Sequence, residues 1–266
     1  MRAIFSLTLL FIAIAIKAQG YSSICQKGIG YIKENDYVKA ATCFEEAVKN
    51  SSSNNERIYA LANLAYSYQM LGDLPKALKE YDKALDISPG ELTLLQQRAN
   101  IYLQLDSIGP ALKDYNELLK HEPSNTGALL CRAHIYTNTG EFGKAWEDYR
   151  QLQWWIPDNL SVRLGIAMLY QKEKRYDESL MVLSGLIQEH PSIAELYIAR
   201  SNLERECGRN ELAMLDLEKA IEIDPSNANN YILQAIIYEK LGKREAARKC
   251  REKAISLGAD KEMMVF

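Results

Sequence analysis

The chain has 266 residues, of which 47% are hydrophobic and 25% charged, a composition that can bury a core and excludes a disordered or collagen-like chain. Its 32 basic and 35 acidic residues give a formal net charge of −3. No run of Lys and Arg supplies the positive face that phosphate binding needs, so nucleic acid is not expected as a partner.

In chain order, residues 1–18 come first, with a basic residue at Arg2, an apolar run from Ala3 to Ile16 and a small residue at Ala18. This is the pattern of a secretory signal peptide cleaved after Ala18. The apolar run is shorter than the roughly 20 residues of a membrane-spanning helix, so no transmembrane segment is expected in the mature chain. Export to the periplasm or cell envelope follows as an expectation. Five cysteines, Cys25, Cys43, Cys131, Cys207 and Cys250, are too scattered for a paired metal-binding motif, and an odd number in an exported chain leaves at least one unpaired or intermolecular. Most are read as small buried fillers. Cys25 follows "YSSI", without the small residues expected before a lipid-carrying cysteine.

From residue 19 to 266 the sequence reads as a single array. Pro89, Pro123, Pro157, Pro191 and Pro225 follow one another at 34-residue intervals, a period that signals a repeat architecture. Counting from them gives units at 21–54, then, after an insertion at 55–57, at 58–91, 92–125, 126–159, 160–193, 194–227 and 228–261. The eighth place carries Gly28, Ala65, Ala99, Ala133, Ala167, Ser201 and Ala235; the twentieth carries Ala40, Ala77, Ala111, Ala145, Ser179, Ala213 and Ala247. Small residues recur where two helices must approach closely. Large ones fill the space beside them, with tyrosine at the eleventh place of six units (Glu204 is the exception) and Phe44, Tyr81, Tyr115, Tyr149, Leu183 and Leu217 at the twenty-fourth.

Between the two small places stand Asn35, Gly72, Asp106, Gly140, Lys174, Gly208 and Gly242, read as the left-handed residue of a tight turn. Each unit is therefore predicted to be an antiparallel helix pair. The periodic prolines end the second helix, Pro75 and Pro110 open one, and Ser124, Asp158, Ser192 and Ser226, with Asn125, Asn159 and Asn227 beside them, are placed to cap the next first helix.

This pattern resembles the tetratricopeptide repeat, a 34-residue helix-turn-helix unit with small residues at its eighth and twentieth places, tyrosine at the eleventh and proline at the thirty-second. It departs from the family at the fourth place, where Ile24, Leu61, Leu95, Leu129, Arg163, Tyr197 and Tyr231 stand in place of the frequent Trp, and at Arg251, where a core aromatic is usual. Arg251 lies in the last unit and is read as part of a polar end face. The resemblance implies an all-α fold, a right-handed α-solenoid (superhelix) of about seven units whose first helices line a concave groove.

The family's groove places point to Ile29, Tyr59, Tyr66 and Met70 as an apolar and aromatic patch, to Gln96, Asn100, Gln104, His134, Thr137 and Asn138 as hydrogen-bonding groups, and to Asn202 and Arg205 in a mixed-charge end. Amides both donate to and accept from a peptide backbone, so the implied partner is a protein or extended peptide. The family's clamp for the C-terminal carboxylate of chaperones is absent, its nearest counterparts being Gln96, Asn100, Cys131, Ser161 and Gly165.

A search for chemistry yields no catalytic residues, no metal site and no cofactor. His121 and His190 border the helix-ending prolines, His134 falls alone inside a first helix, and no phosphate loop or metal motif is present. Trp154 and Trp155 are read as packing against the next repeat, and Trp146 as structural. The resulting expectation is a non-enzymatic protein- or peptide-binding scaffold of the bacterial cell envelope. The alternative is an accessory module binding envelope polysaccharide or peptidoglycan, with Trp154 and Trp155 stacking on sugars. The apolar tail, Met263 to Phe266, is expected to fold over the last helix pair or to mediate self-association through the C-terminal end.

Overall fold

A computed structural model of the chain describes residues 19–260. Both the expected signal peptide and the apolar tail lie outside the described residues. Among the described residues there is helix and no strand. The helices pair as α1 (19–33) with α2 (Tyr37–Asn50), α3 (Asn54–Met70) with α4 (Leu74–Ile87), α5 (Leu92–Gln104) with α6 (Ile108–His121), α7 (Thr126–Thr139) with α8 (Phe142–Trp155), α9 (Leu160–Lys172) with α10 (Tyr176–Glu189), α11 (Ala194–Glu206) with α12 (Asn210–Ile223), and α13 (Ala228–Lys240) with α14 (Arg244–Ser256). None is long and apolar enough to cross a membrane. The chain divides into two compact units, ending at Leu129 and beginning at Leu130.

The turn between the helices of each pair is set by one residue. Asn35, Gly72, Asp106, Gly140, Lys174, Gly208 and Gly242 all have positive φ, between 53° and 80°. The residue after it donates its N–H five residues back, as Asp73 does to Tyr68 and Lys243 to Tyr238, closing the first helix in the manner of a left-handed cap. Each periodic proline stands two residues beyond the end of its helix: α4 stops at Ile87 before Pro89, α6 at His121 before Pro123, and α12 at Ile223 before Pro225. The caps fall one residue later than the serines. Asn125 Oδ1 accepts from Ala128 N, Asn159 Oδ1 from Val162 N and Asn227 Oδ1 from Asn229 N. Ser124, Asp158, Ser192 and Ser226 make no such cap, and α11, which begins after Ile193, has no side-chain cap. The inserted residues 55–57 lengthen α3 by a turn, started by Ser53 Oγ accepting from Glu56 N while Glu56 Oε2 accepts from Ser52 N, a variant of the reciprocal N-terminal cap.

In the N-terminal unit the core runs from Phe44, among Ala40, Ala47, Ala60 and Leu64, to Tyr81, among Ala65, Ala77, Leu95 and Ile101. Gly28 is a steric necessity, because a Cβ there would stand 2.8 Å from the Phe44 ring. In the C-terminal unit Leu183 packs with Ala167 and Leu203, and Leu217 with Ala213 and Ile237. The two serines among the small residues use the same closeness. Ser179 Oγ donates to Ala167 O and Ser201 Oγ to Ala213 O, both at 2.7 Å, so each links the eighth and twentieth places of its own pair and satisfies a hydroxyl that burial would otherwise penalise. Arg251 is partly buried and donates to Glu239 Oε1 at 2.5 Å.

Candidate functional site

In the N-terminal unit, α3 carries Tyr59, Tyr66 and Met70 at spacings of seven and four residues, which puts them on one face of the helix. They remain 46%, 36% and 46% exposed, and Tyr66 meets Tyr37 edge to face at 6.4 Å. A hollow of about 450 Å³ beside them is lined by Ile29 and Tyr59 together with Tyr21, Cys25 and Lys33. On α5, Gln104 is exposed and Gln96 and Asn100 are partly buried. Asn100 is engaged internally, its Oδ1 accepting the hydroxyl of the buried Tyr115 at 2.5 Å.

In the C-terminal unit, Asn138 is exposed on α7, while Thr137 is buried and its hydroxyl bonds to Ala133 O at 2.8 Å. Thr137 therefore drops out of the binding surface. His134 is partly buried edge-on to Tyr149, with ring centres 6.2 Å apart, and desolvation pushes its imidazole below its usual pKa. At neutral pH it offers one donor and one acceptor and no charge. On α11, Arg205 Nη2 donates to Asn202 Oδ1 at 3.4 Å, and the buried Arg205 Nε has no hydrogen-bond partner. A second hollow, of about 470 Å³, opens between α9 and α11 and is lined by Met168, Gln171, Lys172, Lys174, Asn202 and Glu206. Gln171 Nε2 and Glu206 Oε2 are joined within it at 2.9 Å.

The structure reverses the packing reading of the tryptophan pair. Trp154 and Trp155, the last two residues of α8, are 82% and 55% exposed. Trp146 is structural as expected, donating its indole N–H to Glu173 Oε1 at 3.1 Å and meeting Tyr170 edge-on at 5.0 Å. Of the cysteines, only Cys25 is buried; Cys43, Cys131, Cys207 and Cys250 are partly exposed, and all five are free. The expectation of buried fillers therefore holds for Cys25 alone, because an array of paired helices leaves part of each helix open to solvent.

One recurring device escaped the sequence reading. Arg98 and Asp114, Arg132 and Asp148, and Arg200 and Asp216 form bidentate ion pairs at 2.6–2.8 Å, each joining the two helices of a pair. The aspartates are buried. The signal was available, since Arg at the seventh place and Asp at the twenty-third recur in three units. It is easily lost among charges that alternate along solvated helix faces. Among the described residues no group of three His, Cys, Asp or Glu could hold a metal ion.

Comparison with known proteins extends this geometry. Residues 161–192, 194–227 and 228–260 match families described as tetratricopeptide repeat, and residues 26–105 match a family described as a domain of unknown function (DUF6340). A crystal structure of a tetratricopeptide repeat protein from Parabacteroides merdae ATCC 43184 superposes with a TM-score of 0.85 at 31% identity, covering 92% of this chain and 96% of that one. Photosystem I assembly protein Ycf3 of Synechococcus sp. (strain CC9605) is 31% identical over 75 residues, covering 28% of this chain and 43% of the relative. Hsp70-Hsp90 organizing protein 3 of Arabidopsis thaliana is 34% identical over 64 residues, covering 24% of this chain and 11% of the relative. The chain thus spans less than half the length of these curated relatives. Near-complete coverage of a solved repeat protein, together with a turn residue and a helix-ending proline recurring at one spacing, settles the lineage: the chain belongs to the tetratricopeptide-repeat family and is a helical-repeat scaffold.

Proposed function

We propose that the chain is a non-enzymatic scaffold that holds a protein or extended peptide against the first helices of its repeats, and that it works in the bacterial cell envelope after export. The observation that carries the binding reading is the face of α3, where Tyr59, Tyr66 and Met70 stay exposed beside a hollow that Tyr59 itself lines. Exposed tyrosines that hold their position offer a large contact area at low conformational cost. The curated relatives are named as an assembly protein and an organizing protein, which supports partner binding as the activity. Export rests on the sequence of residues 1–18 alone, and mature protein isolated from the envelope should begin at Gln19.

A specific observation favours the second reading, a glycan-binding accessory module: the exposed indoles of Trp154 and Trp155. One experiment separates the two. The partner is first captured by crosslinking in the native envelope, and its affinity and that of immobilised peptidoglycan are then measured for variants. Tyr59→Ala with Tyr66→Ala should weaken protein-partner binding at least about tenfold, and Trp154→Ala with Trp155→Ala should leave it unchanged. The reverse pattern, with glycan retained only by the intact indoles, would replace the first reading by the second. Asn100 is a poor probe because Tyr115 depends on it. Lys79→Ala with Lys113→Ala, at exposed positions of second helices, is the control and should leave binding unchanged.

A further inference from the structure

The first and last helix pairs are fastened to their neighbours differently. Tyr21 in α1 donates its hydroxyl to Glu56 O at 2.6 Å, and Tyr68 in α3 donates to Glu45 Oε1 in α2 at 2.5 Å, so both helices of the first pair are tied to α3. In the last pair the side-chain bonds stay local. Cys250 Sγ donates to Gln234 Oε1 at 3.6 Å, Arg251 Nη2 to Glu239 Oε1 at 2.5 Å, and Tyr231 only reaches back to Pro225 O at 3.3 Å in the loop before α13.

Two devices that dock a first helix on the second helix before it are both missing at the α12–α13 junction. The first is the arginine of the seventh place. Beyond the aspartate of its own pair, Arg98 donates through Nη1 to Asp82 Oδ1 in α4 at 2.7 Å, and Arg200 through Nη1 to Ser184 Oγ in α10 at 3.1 Å. In α13 that place holds Gln234, bonded to Cys250 of its own pair. The second device is an apolar residue at the third place, where Ala60, Leu94, Ala128, Val162 and Leu196 are all buried. Leu94 clusters there with Ala84 and Leu85 of α4, and Leu196 with Leu186 and Ile187 of α10. In α13 the third place is Asn230, 0% exposed, and neither Oδ1 nor Nδ2 of its amide has a hydrogen-bond partner. A buried amide without a partner costs the docked state the hydration it has lost. The α8–α9 junction also lacks the arginine, having Ile166, but it keeps Val162. What holds α13 to α12 is the cluster of Met214 and Leu217 with Leu233 and Ile237.

We infer that α13–α14 is a detachable end unit, which undocks from α12 as one body while α11 and α12 stay folded, and that the buried Asn230 amide sets how often it does so. Each repeat of such an array leans on its neighbours alone, so one weak junction opens without the others. Undocking hydrates the amide and bares Met214 and Leu217, giving α12 an apolar face that the closed state hides. A partner that binds either state shifts the balance between them. The device shares no residue with the α3 face and does not depend on what that face binds.

Native-state hydrogen exchange of the full chain, read by mass spectrometry, tests it. Backbone amides within α13 and α14 should exchange together, at least about tenfold faster than those within α11, α12 and the α1–α2 pair. Asn230→Leu, which installs the residue found at Leu94 and Leu196, should slow exchange in α13–α14 at least about tenfold and leave α1–α2 unchanged. Should leucine overfill the site, the smaller Asn230→Val, after Val162, is expected to give the slowing instead. Equal protection of α13–α14 and α11–α12 in the wild type overturns the proposal, as does failure of both variants to slow exchange. Equally fast exchange in α1–α2 overturns it too, because the opening would then be the ordinary fraying of a terminal repeat.

Discussion

The pair α7–α8 and the pair α9–α10 belong to consecutive repeats, yet they meet the same packing problem with different chemistry. At the seventh and twenty-third places the first has Arg132 and Asp148, bidentate and with the aspartate buried, while the second has Ile166 and Val182. Both keep small residues at the eighth and twentieth places, Ala133 with Ala145 and Ala167 with Ser179, and both turn through a residue of positive φ, Gly140 and Lys174. The close approach and the turn set the backbone, and the neighbouring slot accepts either an ion pair or hydrocarbon. Specificity for the repeat fold thus resides in volume and turn geometry more than in polarity.

The sharpest way to break that comparison is to remove one member of the ion pair. Asp148→Ala should destabilise the protein by about 3 kcal/mol or more, because it strips the bidentate acceptor from a guanidinium held mostly away from water. Arg132→Met with Asp148→Leu, which rebuilds the slot in the manner of Ile166 and Val182, should recover most of the loss. Urea unfolding of the three proteins decides it. If the double variant is no more stable than the single one, the slot in α7–α8 depends on charge and the two repeats are not equivalent.

A smaller effect separates the repeats by pH. His134 lies against Tyr149 in α7–α8, and α9–α10 has no histidine inside it. Desolvation lowers the folded-state pKa of His134 below its usual 6.5, so on acidification the unfolded chain takes up the proton first. Stability from this group is therefore level above about pH 6.5 and declines as pH falls through that value toward the folded pKa. His134→Gln should remove this part of the acid-side decline. Parallel melting curves of the two proteins between neutral and mildly acidic pH would show the imidazole to be solvated if their difference stayed constant.

The fold was legible because its constraints are local and repeated. A residue that must take positive φ, or that must leave room for a ring, admits few side chains, and a fixed spacing of 34 multiplies the signal seven times. The binding surface was less legible because neighbouring residues on a helix differ in orientation by about 100°. Thr137 and Asn138 are adjacent, but one is buried against Ala133 and the other exposed. Trp154 and Trp155 carried the apolar character of a packing residue, yet both are exposed at the end of α8. Asn100 looked like a ligand and also serves Tyr115. Such double roles are decided by contacts between residues far apart in sequence.

The smallest effect tests the turn itself. Lys174 holds φ of +62° in the place where Gly140 and Gly208 hold +80° and +77°. A side chain in that conformation brings Cβ toward its own backbone at a cost of roughly 1–2 kcal/mol, whereas glycine avoids the clash and loses about 0.5–1 kcal/mol through its greater freedom when unfolded. Lys174→Gly should therefore stabilise the α9–α10 turn by a few tenths to about 1 kcal/mol. Charge complicates the reading, because a lysine just past the end of α9 is favourably placed against the helix dipole. Lys174→Ala controls for this, since it loses the charge and keeps the Cβ. The ordering expected from thermal unfolding is glycine above alanine, with lysine between them or level with alanine. An alanine variant as stable as the glycine variant would mean that the α9–α10 turn carries no conformational strain, and that lysine is tolerated there for a reason other than the packing around it.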